Sequence, residues 1–232
     1  MTSGQLDQCE QLVLFETGAR VVAADATVVD ATVFVVDEHA ASRLELEKLL
    51  EGAGFGVTSF GTASEFLASY RQDLPACLVL DVHLPEVNGL ELQEQLLAHD
   101  AFLPMVCIAR CGEVSMCVRT RQLGSVGFWI EPLLDAELVA AVSQALGLAQ
   151  RDWQERARLR EIRSRLALLT RRERQVLEHV VSGARNKQIA QVLGISEVTV
   201  KAHRAQVMQK LHASSLPDVV RMAGKVGIDT KV

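Results

Sequence analysis

Two groups of residues in this 232-residue chain have types and spacings that could do chemistry. The first is a set of carboxylates. The segment LVLDVHLPEVNG at 78–89 is an apolar run that ends on Asp81 and continues into a proline and an Asn-Gly turn. A carboxylate at the exit of a buried strand is costly unless a cation, a hydrogen-bond donor or a reaction uses it. TVFVV at 32–36 leads in the same way into Asp37 and Glu38. Oxygen donors gathered like this suit a hard divalent cation, Mg2+ or Ca2+. The second group is cationic. Between Ser196 and His212, Lys201 and Arg204 stand beside the small Ala202 and Ala205 in a helix-periodic segment. Cations so placed can meet phosphates or base edges, and the alanines allow close approach or meet a thymine methyl.

The elements that must position the first group follow from hydrophobic periodicity. TVFVV, FGVTSF (55–60), ACLVLD (76–81), MVCIA (105–109) and VGFWI (126–130) read as strands. Helix-periodic segments separate them: ASRLELEKLLEGAG with Leu44, Leu46, Leu49 and Leu50, then SEFLASY, then ELQEQLLAH behind an Asn88 cap, then VSMCVRTRQLG. A longer helix, capped by Asp135, follows the fifth strand. This (βα)5 alternation predicts a doubly wound parallel sheet covered on both faces. Functional groups in such sheets gather beyond the carboxyl ends of the strands, where Asp37, Asp81, Ala109 and Glu131 fall.

The second group lies on a different plan. Thr170-Arg-Arg-Glu173 is a capping box that opens a helix ending at Gly183. A short helix over 187–193 then meets a Gly194-Ile195-Ser196 turn, and Ser196 caps a second helix to about His212. That is the helix-turn-helix arrangement, whose second helix lies in the major groove. Val198, Val200, Val207, Met208 and Leu211 are expected on its core side. Upstream, QRDWQERARLREIRSRLALL at 150–169 places Leu159, Ile162, Leu166 and Leu169 at 3-4-3 spacing. Two readings fit that seam, a charged solvated linker helix or a dimerising coiled coil.

Charge and composition bound the function. Residues 1–30 carry a net −4, 31–149 a net −10 and 150–232 a net +9. The asymmetry points to a polyanion partner for the C-terminal part alone. Five cysteines without CxxC spacing argue against a disulfide framework and for a reducing cytosol. The longest apolar stretch, 21–36, holds Asp25 and Asp30 and is too short to span a bilayer, so no membrane partner and a cytoplasmic location are expected. No Gly-rich phosphate loop, nucleophile–base motif or metal-spaced Cys/His set is present, so no enzyme activity is expected. The four parts are an N-terminal extension (1–30), an α/β domain (31–149), a helical linker (150–168) and an all-α DNA-binding domain (169–232). The extension reads either as an acidic arm or as an extra edge strand.

The motifs LTRRERQVLEHVVSG, NKQIAQVLGIS, VTVKAHRAQVMQKL and SLPDVVRMA, with LVLDVHLPEVNGLELQEQL upstream, resemble the NarL/FixJ family of response regulators, its FixJ/StyR/TodT-like branch in particular. Such proteins join a receiver domain to a tetrahelical LuxR-type helix-turn-helix domain. The resemblance implies that Asp81 is the phosphoacceptor position. It also implies that Asp37, Glu38, Asp81 and the carbonyl of His83 would hold Mg2+, although no cofactor is expected to be required. It places Lys201, Ala202 and Ala205 at bases, and Asn186, Lys187, Thr199 and Arg204 at phosphates, with His203 a packing alternative. His39 and His83 read as exposed loop residues rather than ligands.

Two positions depart from the family pattern. Ala109 stands where a Thr or Ser hydroxyl would bond the phosphoryl group, and Glu131 where a Lys would pair with it. Phe128 fills the aromatic switch position. Four pocket carboxylates, with Glu131 expected to face inward, would repel a phosphoryl group that the family pocket attracts. Arg110 could fold over the pocket as a counter-charge or face solvent. Cys111, on the same loop, is the one cysteine in a setting that could lower its pKa for a redox role. The leading expectation is a DNA-binding transcription regulator with a pseudo-receiver, a homodimer joined through the fourth and fifth receiver helices and the linker, that takes its input from a sensor histidine kinase, a protein or a small molecule. The alternatives are a regulator switched by ordinary phosphorylation and a protein-interaction adaptor.

Overall fold

Valine-rich runs buried on both sides pair as one parallel sheet. In the computed structural model, which describes residues 31–71, 74–84, 89–98, 102–109, 125–132 and 134–228, the strands are β1 (Thr32–Val36), β2 (Gly56–Phe60), β3 (Ala76–Asp81), β4 (Met105–Ala109) and β5 (Gly127–Ile130). Their order is β2-β1-β3-β4-β5, the doubly wound order with its switch point between β1 and β3. Helices α1 (Ala40–Gly52), α2 (Ala63–Ser69) and α3 (Gly89–Ala98) connect the first strands. The fifth strand and the first helix match expectation to within two residues. The Asn88 cap, the VSMCVRTRQLG helix, Arg110, Cys111 and the 1–30 extension lie outside the described residues.

Alternation along the strands divides the core in two. Val33, Val35, Val79, Val106 and Ile108 pack beneath α1 and the long helix that follows β5. Phe34, Val36, Leu78, Leu80 and Cys107 face the other way, with Phe66 of α2 and Leu92 of α3. The inner strands β1, β3 and β4 therefore bury both faces, which is why their sequences are continuously apolar, whereas the edge strands β2 and β5 stay partly open. On α1 the seam is narrower than the leucine spacing suggests, because Leu50 is fully buried whereas Leu44 is 48% exposed.

One helix then runs through both halves of the chain. The helix expected after the fifth strand and the expected linker form a single α4 (Asp135–Ala167), so the boundary drawn at 150 falls inside an unbroken helix. Leu134, not Asp135, is its N-cap; Asp135 and Glu137 instead place their charge in the first turn, where the helix dipole favours it. Leu138, Val142, Ala145 and Leu146 bury against the sheet, and Ile162 and Leu166 bury against the C-terminal helices. These are α5 (Arg171–Val181), α6 (Asn186–Leu193), α7 (Glu197–Leu211) and α8 (Leu216–Lys225). Ile162, Leu166 and Leu169 form one core with Leu177, Val207 and Leu211. Three of the four seam residues are thus packed within the chain, which corrects the coiled-coil reading for them, while Leu159 stays half-buried outside that core. No helix among the described residues is long and apolar enough to cross a membrane.

Candidate functional site

Register brings the strand exits into one row. Val36 pairs with Leu80, Asp81 with Ile108, and Ala109 with Ile130, so Asp37, Asp81, Ala109 and Glu131 follow one another across the top of the sheet. Asp37 and Asp81 flank the switch point and are 3% and 8% exposed. Local donors offset the cost of burying them. Asp37 Oδ1 accepts the His39 amide at 2.7 Å and Oδ2 the Ser42 hydroxyl at 2.6 Å. Asp81 Oδ1 accepts the His83 amide at 2.9 Å.

The chain closes tightly behind Asp81. The Gly89 amide donates to Val82 O at 3.2 Å. A Cβ at position 89 would lie 2.9 Å from Val82 Cα and 3.3 Å from Asp81 O. Gly89 is therefore required by close backbone approach, and it brings the start of α3 against the β3 exit.

The residues that could together hold a cation are not all the expected ones. Asp37, His39 and Asp81 can each place a ligand atom within 4.8 Å of the others. His39, read from sequence as a loop residue, joins the cluster, whereas Glu38 does not. The His39 Nδ1 atom lies 3.8 Å from Asp37 Oδ1 and 3.5 Å from Glu38 Oε1. The His83 ring stays beside Asp81, with Nδ1 3.7 Å from Oδ1. Two carboxylates on one side of the sheet fit Mg2+ as hard oxygen donors, and a nearby imidazole is a donor that softer divalent metals favour. Sequence reasoning also missed Ser42 and Arg43, which α1 sets one turn past Asp37. Arg43 Nη1 donates to Asp37 O at 2.6 Å, so that cation serves backbone carbonyls rather than a pocket oxygen.

The two departures occupy distinct environments. Ala109 is buried at the end of β4 and offers only a methyl group. Its carbonyl accepts the Glu131 amide at 2.9 Å, which fixes the β5 exit beside it. Glu131, followed by a cis bond to Pro132, is exposed at the end of an edge strand, so its side chain is in water and not enclosed with Asp37 and Asp81. Only Asp37 and Asp81 of the four carboxylates are buried, so solvent screens much of the repulsion expected of Glu131. Phe128 is half-buried against the Cys107 side of the sheet.

At the other end of the chain, local chemistry builds the helix-turn-helix. Gly194 ends α6 with φ 65°. Ser196 Oγ then accepts the Thr199 amide at 3.1 Å and shares a hydrogen bond with Thr199 Oγ1 at 2.8 Å. Val200, Val207 and Leu211 bury one side of α7. Lys201, Ala202 and Ala205 are exposed, as is Lys187, while His203 is half-buried. Two residues expected at phosphates are tied to each other, since Arg204 Nη1 donates to Asn186 Oδ1 at 2.6 Å. Val198, placed in the core by sequence, is 76% exposed; this too is a correction. Two residues before the buried Val200, it falls on the opposite side of α7.

A doubly wound sheet with an acidic switch point, coupled by a helix to a basic helix-turn-helix, defines a two-component regulator that binds DNA. The response regulator receiver domain model matches residues 33–143, and the model for bacterial regulatory proteins of the luxR family matches 167–223. The transcriptional regulatory protein FixJ of Azorhizobium caulinodans is 42% identical over 197 residues, covering 84% of this chain and 93% of that protein. The response regulator protein TodT of Pseudomonas putida is 35% identical over 211 residues, 91% of each chain. The solved structure of the response regulator StyR superposes with a TM-score of 0.78 at 42% identity, covering 85% of this chain and all of that one. The chain belongs to the NarL/FixJ family of response regulators.

Proposed function

We propose that this DNA-binding response regulator recognises double-stranded DNA through α7 and carries a pseudo-receiver that ordinary phosphorylation of Asp81 does not switch. The observation that carries the second part is the buried Ala109 methyl at the β4 exit, next to an exit that bears Glu131 instead of a cation. A phosphoryl group on Asp81 would find neither the hydroxyl that draws the β4 loop inward nor a positive charge to balance it. Asp37 and Asp81 are the carboxylates that would hold Mg2+; the ion would supply the charge balance for phosphoryl oxygens. The chain acts as a homodimer on a palindromic site, in the cytoplasm, and its input is contact with a sensor kinase, another protein or a small molecule. With the leucine seam of α4 used internally, the receiver helices are left as the dimer contact.

One observation favours the ordinary switch as a second reading: Asp37 and Asp81 are both retained, buried and held by hydrogen bonds. Incubation of the whole protein with acetyl phosphate and Mg2+, or with beryllofluoride, separates the two. The expected outcome is unchanged sedimentation and unchanged affinity for a site selected from random duplex DNA. Restoring both missing groups in Ala109→Thr/Glu131→Lys should confer a response. A gain in the unmodified protein that Asp81→Ala abolishes would establish the second reading. Failure to retain any duplex would instead leave the adaptor role.

A further inference from the structure

Val198 is the most exposed large hydrophobic side chain among the described residues, and it stands in the first turn of α7. Successive helical residues are about 100° apart, so Val198, Lys201, Ala202, Ala205 and Gln209 share one arc of about 100°. The opposite arc is filled by Val200, Val207 and Leu211, all buried. The polar side chains nearest to Val198 are already committed, since Ser196 and Thr199 bond each other and the helix cap. What the first turn presents outward is therefore an isopropyl group. It is flanked by a cation and two methyl-sized residues.

We propose that Val198 is a base-reading residue, whose methyl groups pack on the C5-methyl of a thymine in the major groove. The inference rests on the reading that α7 enters that groove. Several observations favour DNA over a protein as the occupant. The N-terminal residues of a recognition helix are the ones that reach base edges. Lys201 lies within the patch, the part of the chain from 150 onward carries +9, and Ala202 and Ala205 let the helix backbone come close. A hydrocarbon side chain can distinguish thymine from the other bases only by its methyl group. The chemistry of the ligand is thus specified: a T·A pair at the position met by the first turn, with further apolar contacts one and two turns on.

The test uses the full chain and a duplex selected from random DNA, in which each thymine is replaced singly by deoxyuridine, removing one methyl and nothing else. At one position per half-site the unmodified protein should lose about fourfold in affinity, the weight of one buried methyl group. Val198→Ala should bind the thymine and uracil forms of that position equally, while uracil penalties at other positions persist. The substitution replaces an exposed side chain by a stronger helix former, so its melting temperature should not fall, and a folding defect is checked by that measurement. Identical uracil profiles for Val198→Ala and the unmodified chain would overturn the proposal, as would a selected site without a sensitive thymine. Failure to select any duplex would overturn the DNA-binding reading itself, and is distinguished by the absence of a site to substitute.

Discussion

Glu173 shows how a single side chain closes a domain. It is 5% exposed, and its carboxylate receives the Thr170 amide at 2.7 Å and Lys210 Nζ at 2.6 Å, joining the capping box of α5 to the end of α7. Burial alone would raise its pKa, but the Lys210 hydrogen bond, the Thr170 bonds and the Lys210 charge outweigh it and hold the group below its usual 4.5. A lowered folded-state pKa contributes stability above the unfolded value, and that contribution is lost as pH falls through the folded value. The melting-temperature gap between the unmodified protein and Glu173→Gln should therefore be widest near neutral pH and close progressively below about 4.5. A gap that stayed constant down to pH 3 would exclude this role. The cap itself was legible because Thr-x-x-Glu is a local signal; the Lys210 partner, 37 residues on, was not. The same limit applies at the other end, where the Asp81 strand exit was plain but the His39 approach to Asp37 and Asp81 depended on the fold. Cysteine chemistry narrows likewise. Cys77 and Cys107 are buried thiols in no disulfide, and desolvation pushes the Cys77 thiol up to about 12, which keeps it an unreactive core group.

Among the elements, α4 departs furthest from its sequence reading. Its leucine spacing has the period of a coiled coil, and spacing alone cannot say whether the facing helix belongs to the same chain. Here the facing residues are Leu177, Val207 and Leu211, so the seam is part of the C-terminal core. Leu166→Ala should then cost about 2–4 kcal/mol of C-terminal stability through the cavity it leaves, read as a shift in the denaturant midpoint, with the oligomeric state unaltered by sedimentation. Dissociation of a dimer without loss of stability would place the seam between chains. The helix-turn-helix, by contrast, was readable almost to the residue, because Gly194 and Ser196 determine their turn by local sterics and capping. Only Val198 was misplaced there, since a valine two residues from Val200 is on the opposite side of a helix, not beside it.

For the molecule as a whole, α4 is a strut of 33 residues, about 50 Å at 1.5 Å per residue. No residue between 150 and 161 is fully buried, although Asp152, Trp153, Arg156 and Arg160 line a cavity with Tyr70, Leu74 and Phe102, so its middle is held less firmly than its two packed ends. Arg156 bonds Asp152 at 2.6 Å there, and Glu155 pairs with Lys225 of α8 at 2.6 Å, an exposed contact that lowers the Glu155 pKa chiefly through its hydrogen bond. Breaking the strut at an exposed position should uncouple the halves without unfolding either. Gln154→Pro, which removes a helical hydrogen bond at a cost of about 3 kcal/mol, is expected to give two separate calorimetric transitions. DNA affinity should be kept, while any dependence of that affinity on the receiver is lost. A single cooperative transition in the variant would show that contacts other than the helix join the halves.

The sequence by itself determined the strand and helix order, the parallel sheet, the helix-turn-helix, the charge division between the two parts and the placing of Ala109 and Glu131 at strand exits. All of these are set by local periodicity, turn sterics and side-chain identity, which a linear chain displays directly. Tertiary structure alone decided that Glu131 stands in solvent, that His39 leans over the buried aspartates, that Arg204 is bound to Asn186, and that the α4 seam faces inward while Val198 faces outward. Each of these depends on which surfaces meet across many residues of chain. Burial and pairing are properties of those meetings, and no spacing rule along the chain contains them.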